Sequence, residues 1–159
     1  MITIVEERPD SSDARTLIEE LDDELVLLYP SESRHGYSVD KLIAQKVWFF
    51  VVRIDGAPVA CGGVQLFGTE YGEIKRMYVR RAFRRLGLAR RILENLARFT
   101  AERGVRLLRL ETGIHQTDAI RLYEAWGFTR IPPFGDYRDD PLSLYYERPI
   151  GPAGPLEKS

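Results

Sequence analysis

The sequence predicts one mixed α/β domain whose central sheet is covered by helices on both faces. Three observations carry this. The chain has 159 residues and a mass of 18.3 kDa, enough for one compact core and too few for two ordinary ones. Runs rich in β-branched and aromatic residues alternate with runs of helical periodicity. Their order is strand, two helices, three strands, helix, strand, helix and two strands, so helices flank the middle strands on either side in sequence. The expected domain spans residues 1–150, and the Gly/Pro-rich tail 151–159 is expected to be poorly ordered.

The elements follow from local signals. ITIVE opens the chain as a short strand, ended by Pro9 and by capping residues from Asp10 to Asp13. Ala14, Leu17, Ile18, Leu21, Leu25 and Leu28 then recur at helical spacing until Tyr29-Pro30. SESRHGYS reads as loop, and Val39, Leu42 and Ile43 mark a shorter helix. VWFFVVRI and APVACGGVQLF form a hairpin about Asp55-Gly56, with Gly62-Gly63 marking a bulge or close approach. YGEIKRMYV is a third strand that does not alternate cleanly, and Glu73 and Lys75 share a face with Met77 and Val79 if no bulge intervenes. Leu88, Ile92, Leu96 and Phe99 form a helical stripe closed by Gly104. RLLRLET is a strand, Ala119, Leu122, Tyr123 and Trp126 mark a helix, and FTRI and LSLYYERPI close the sheet around the loop PPFGDYRDDP.

Composition narrows the function. Twenty-three basic residues offset twenty-four acidic ones, for a net charge of −1, which weighs against nucleic acid as a partner. One cysteine and two histidines exclude a disulfide framework and a Cys-rich zinc site, and no metal is expected. No apolar run approaches the roughly 20 residues of a membrane span, and the N-terminus lacks a secretory profile. A cytoplasmic protein without a membrane partner is expected, and a homodimer stays open.

The segment EIKRMYVRRAFRRLGLARRILENLARF carries most of the chemistry. It sets a strand, an arginine-rich loop, Gly87 and an amphipathic helix in succession. A helix N-terminus presents unpaired N–H groups and the positive end of its dipole, and a glycine there lets an anion approach the backbone. The surrounding arginines add charge-assisted bonds to phosphate. A solvated basic turn is the alternative, and neither GxxxxGK[ST] nor GxGxxG is present.

RRLGLA, Arg84 to Ala89, resembles the Q/R-x-x-G-x-G/A signature of the GNAT superfamily of N-acetyltransferases, and it directly follows EIKRMYV at the head of a helix. QTDAIRLYEAWGF resembles the second signature of that family, N-x-x-A-x-x-x-Y-x-x-x-G-F, with Gln116 in place of asparagine. The resemblance implies a mixed, mostly antiparallel sheet of six or seven strands flanked by about four helices. It implies acetyl-CoA as co-substrate, its diphosphate held by the backbone of Arg84, Arg85, Leu86, Gly87, Leu88, Ala89 and Arg90. Met77, Tyr78 and Val79 would meet the pantetheine arm, as would Gln116. Tyr123 would donate a proton to the departing thiolate, as its neutral phenol can at pH 7.

Glu73 is the expected general base, because transfer needs an unprotonated amine. A salt-bridged Glu73 beside Lys75 or Arg76 is the structural alternative, and Glu111 is a second carboxylate. Cys61, in an apolar strand, reads as a buried thiol. Arg34, Tyr37, Glu111 and Tyr137 are expected to meet the acceptor. The expected function is acetyl transfer to a primary amine of a small molecule or amino acid through a ternary complex. A peptide or protein N-acetyltransferase, or a non-catalytic acyl-CoA-binding domain, is the alternative.

Overall fold

The computed structural model describes residues 1–152, so the expected tail lies outside the described residues from position 153 onward. The strand-forming runs become β1 (Ile2–Glu6), β2 (Trp48–Ile54), β3 (Ala57–Phe67), β4 (Tyr71–Val79), β5 (Leu107–Gly113), β6 (Thr129–Ile131) and β7 (Ser143–Pro149). The helical runs become α1 (Ser12–Leu28), α2 (Val39–Ala44), α3 (Leu88–Glu102) and α4 (Thr117–Ala125). Ser11 and Ser38 cap α1 and α2 by accepting the amide N–H of Ala14 and of Lys41, which satisfies donors the helix itself leaves free. Asp55 and Gly56 both adopt positive φ, 49° and 88°, the primed turn that matches the twist of a hairpin.

All seven strands join one sheet in the order β1-β2-β3-β4-β5-β7-β6. Every neighbouring pair is antiparallel except β4 and β5, which run parallel. Leu88, Ile92, Leu93 and Leu96 of α3 are buried on one face with Val64, Ile74, Leu108 and Leu110. Each such side chain removed from water stabilises the fold by roughly 1.5–3 kcal/mol. Ala14, Leu17, Ile18 and Leu21 of α1 cover the other face with Phe49, Val51, Cys61 and Tyr78.

Two irregularities position the site. The β4–β5 pairing extends only over Gly72–Leu108 and Glu73–Arg109, so beyond Glu73 the two strands part. The second is a bulge in β4. Gly63 opposes Lys75 but Cys61 opposes Tyr78, so Arg76 and Met77 together face Gly62, and Arg76 has φ 55°. The shared face expected for EIKRMYV in the absence of a bulge is therefore corrected. Glu73 and Lys75 do not share a face with Met77 and Val79, because the extra residue resets the pleat. Ile74, Met77 and Val79 lie toward α3, while Arg76 and Tyr78 lie toward α1. Gly62 lets α3 approach the bulge, since a Cβ there would stand 2.9 Å from Ile92 and 3.3 Å from the sulfur of Met77.

Candidate active site

The parting of β4 from β5 opens a cleft walled by Ile74, Arg76 and Met77 on one side and Leu110 to Gly113 on the other. Beyond Glu73 the inner main chain of β4 has no strand partner from β5, which leaves backbone donors and acceptors for an extended ligand. At the outer end of β4 the chain passes through a short 3-10 turn, Arg81–Phe83, into α3. Arg85 and Gly87 both adopt positive φ, 67° and 79°, which turns successive amides toward one side as in an anion-binding nest. No side chain caps Gly87, so the first N–H groups of α3 stay open to a ligand.

The arginines around this nest behave differently from expectation. Arg80 donates to both Glu20 oxygens of α1, at 2.9 and 2.8 Å. Arg84 donates to Glu24 at 3.0 and 3.1 Å and to the Val79 carbonyl at 2.7 Å. Arg81 lies 3.6 Å from Glu24, and Arg90 lies 3.4 Å from Glu94. The side chain of Arg84 is committed to α1 rather than free for phosphate, because the acidic flank of that helix packs over the end of β4. Its backbone stays in the loop. Arg85 and Arg91 form no ion pair among the described residues, and Arg85, Leu86 and Gly87 are exposed.

Tyr123, on α4, is 5% exposed and lines the cleft with Met77, Glu111 and Gln116. Burial, and after it the charge of Glu111, pushes its phenol above the ordinary value, so the proton is held at neutral pH. Gln116, at the N-cap of α4, folds its amide oxygen back onto the Gly113 N–H at 3.0 Å. That oxygen is occupied by the end of β5, and the amide nitrogen is the end left for a ligand. Leu88 and Tyr78, expected near the cofactor, are buried in the two cores. Tyr78 donates its hydroxyl to Glu20 at 3.1 Å, and burial first, then that bond, pushes its pKa up to about 12. Only the main chain of these two residues is available to a ligand.

A wider basin adjoins the cleft. Arg34, Tyr37, Lys41, Phe67, Tyr71, Glu73, Lys75, Asp136 and Tyr137 line it, which brings together three of the four expected acceptor residues with the expected base. Glu111, the fourth, lines the cleft instead. Its pKa is raised by burial, against the opposing Ser143 hydroxyl that donates to it at 2.8 Å. Arg34, His35 and Gly36 border both spaces, so cleft and basin meet at that loop. The basin has a cavity volume of about 710 Å³, against about 90 Å³ for the cleft.

Glu73 is 2% exposed and its Oε2 accepts two bonds, from Lys75 Nζ at 2.9 Å and from the Tyr137 hydroxyl at 2.5 Å. Glu73 Oε1 accepts none within the described residues, yet it is not among the sealed, unpartnered polar atoms. The salt-bridged alternative for Glu73 is therefore real, and it leaves one oxygen open. His35 links the bordering loop to the β6–β7 loop, with Nε2 3.2 Å from Asp140 and its ring edge-on to Tyr137. Sequence reasoning missed His35, Lys41, Phe67 and Tyr71 as basin residues. His35 and Lys41 lie in or just after the loop SESRHGYS, whereas Phe67 and Tyr71 flank the β3–β4 turn, which carried no such signal. Cys61 is fully buried, and burial pushes its thiol up to about 12, which makes it inert at neutral pH.

Among the described residues no cluster of three or more His, Cys, Asp or Glu could hold a metal ion, and no helix is long and apolar enough to cross a membrane. The parted strands, the amide nest and the buried tyrosine together define an acyl-CoA-dependent acyltransferase fold. The chain belongs to the acetyltransferase (GNAT) family, whose model matches residues 14–128, and it is an acetyl-CoA-dependent N-acetyltransferase. It is 41% identical over 151 residues to the IAA acetyltransferase of Azospirillum brasilense, a match spanning 94% of this chain and 98% of that one. It is 31% identical to the uncharacterized N-acetyltransferase YsnE of Bacillus subtilis, over 79% of this chain and 85% of the relative. A proposed acyl-CoA N-acyltransferase of Klebsiella pneumoniae superposes with a TM-score of 0.81 at 33% identity, covering 95% and 99% of the two chains. An Elizabethkingia anophelis acetyltransferase solved with acetyl-CoA bound has the same fold, with a TM-score of 0.69 at 15% identity over 94% and 98% of the chains.

Proposed function

We propose that this enzyme acetylates the primary amine of a small molecule or amino acid by direct transfer, with acceptor and acetyl-CoA held side by side. The observation that carries the proposal is the meeting of cleft and basin at Arg34–Gly36, with Tyr123 on the cleft side and Glu73 on the basin side. The basin volume of about 710 Å³ lies in the range of small-molecule sites, roughly 300–1,000 Å³.

In this reading the amides of Arg85 to Arg90 hold the diphosphate, and the main chain of Met77 to Val79 aligns the pantetheine arm. Bound acetyl-CoA supplies an activated acyl thioester. Glu73 Oε1 takes the proton of the acceptor ammonium, directly or through a water, and frees the nitrogen lone pair for attack. Tyr137 and Lys75 fix the carboxylate through its other oxygen, so Oε1 faces the acceptor without a rotational search. The backbone N–H near Met77 polarises the carbonyl. Tyr123 gives its phenolic proton to the leaving sulfur, and the second proton shed by the attacking nitrogen as the amide forms restores the phenol.

Thiol release from acetyl-CoA with a panel of primary amines tests the reading. Release with small amines is expected, and Tyr123→Phe should lower kcat about a hundredfold while leaving acetyl-CoA binding close to that of the parent. Equal losses in both would remove the acid role of Tyr123. Measurable CoA binding without release for any amine would remove the proposed acceptor class.

A further inference from the structure

The basin holds a group of cations that acetyl transfer alone does not require. Lys75 Nζ lies 3.9 Å from the centroid of the Tyr37 ring, and Lys41 Nζ lies 4.5 Å from the same centroid. Lys75 is 6% exposed and sits at the floor beside Glu73, whereas Lys41 and Arg34 are exposed at the rim. Tyr37, half-buried between them, forms with the two lysines a continuous column from floor to rim. Most arginines near this face of the sheet are matched by a carboxylate, as Arg53, Arg76, Arg80 and Arg84 are. Lys41 and Arg34 belong to no ion pair among the described residues.

The charges lining the basin are Arg34, Lys41 and Lys75 against Glu73 and Asp136, with His35 at the border. Three cations against two carboxylates leave one positive charge in excess when His35 is neutral. The charge of Glu73 is paired with that of Lys75 through Oε2, which leaves Lys41 and Arg34 against Asp136 and puts the excess toward the rim. One net charge suits a monoanion better than a phosphate dianion. Arg34 can fork onto a planar carboxylate, and Lys41 can meet it as a point charge. Phe67, Tyr71 and Tyr137 also line the basin, and aromatic side chains suit an apolar body.

We propose that Lys41 and Arg34, backed by the Tyr37–Lys75 column, form a carboxylate subsite, and that the acceptor is an amino carboxylate with an apolar body. This rests on the small-amine reading above and narrows it. The amine points inward to Glu73 Oε1, and the carboxylate remains at the rim.

Matched pairs of acceptors test it with the intact enzyme and acetyl-CoA, such as phenylalanine against phenethylamine and phenylalaninamide, and leucine against isoamylamine. The carboxylates are expected to exceed their neutral partners in kcat/KM by about tenfold or more, the scale of a hydrogen bond to a charged group. Lys41→Gln and Arg34→Gln should each contract that ratio by about fivefold, mainly through KM, and Lys41→Arg should restore most of it. Both positions are exposed, so these variants are expected to fold. Neutral amines turned over as fast as the carboxylates, or a ratio unmoved by either variant, would overturn the subsite and leave the small-amine reading standing. Release with no amine of the panel would overturn both.

Discussion

At the scale of the residue, the site depends on two buried side chains held in opposite roles. Tyr123 is kept protonated by burial and by the nearby Glu111 charge. Glu73 is kept oriented by Lys75 and Tyr137, which both bind Oε2. If Oε1 is the proton acceptor, Glu73→Gln should lower kcat/KM by roughly ten- to a hundredfold at neutral pH. The ascending limb of the pH–rate profile should also move to higher pH, where the acceptor amine loses its proton unaided. A profile of unchanged shape and position in the Gln variant would remove Glu73 as base. Tyr123 was singled out in the sequence by the second motif, and Glu73 by its place in the strand that leads into the arginine-rich loop. What was not legible is that a second tyrosine, Tyr137, comes from a loop 64 residues away in sequence to bind Glu73. No local pattern encodes such a contact.

At the scale of the element, strands and helices fall where the β-branched runs and helical stripes place them, including the helix stop at Gly104, φ 81°. The bulge in β4 showed in the sequence only as imperfect alternation, because a period-2 pattern interrupted by one residue resembles an irregular strand. With it, Met77 is turned toward the cleft while Glu73 and Lys75 stay in the basin, so one strand lines both spaces. The loop before α3 depends on Gly87 in a left-handed conformation with φ 79°, where a side chain costs about 1–2 kcal/mol. Nothing stands within 4 Å of a Cβ built there, so the cost is conformational rather than steric. Gly87→Ala should therefore lower Tm by only a few degrees, on the order of 4 °C. It should weaken acetyl-CoA binding several-fold by distorting the amide nest. Calorimetric titration with CoA checks this, and unchanged affinity would separate the nest from cofactor binding.

At the scale of the whole molecule, the two cores and an aromatic cluster of Tyr71, Phe134 and Tyr145 enclose tyrosines whose hydroxyls keep their protons. Burial is the first cause for Tyr78 and Tyr146, each pushed up to about 12, and for Tyr123 and Tyr137, which are pushed up as well. In the unfolded chain these phenols ionise near pH 10. Above about pH 10 the unfolded state therefore binds fewer protons than the folded state, and stability falls as pH rises. The contribution is complete below about pH 10 and is lost on the way through about pH 12. Denaturant midpoints measured from about pH 8 to about pH 11 should decline over the upper part of that range, and a flat series would contradict the burial of these groups. The balanced charge of the chain also has a spatial meaning that composition conceals. The acidic residues of α1 meet the arginines beyond β4, as Glu20 with Arg80 and Glu24 with Arg84. The backbone amides at Gly87, which no side chain caps, stay open beside these pairs. The sequence by itself determined the elements, their order and the glycine-headed turn before α3, because capping, periodicity and glycine conformation act over a few neighbouring residues. Only the tertiary structure decided which arginines remain free, where β4 parts from β5 and which side chains meet across the basin, because those depend on contacts between segments far apart in the chain.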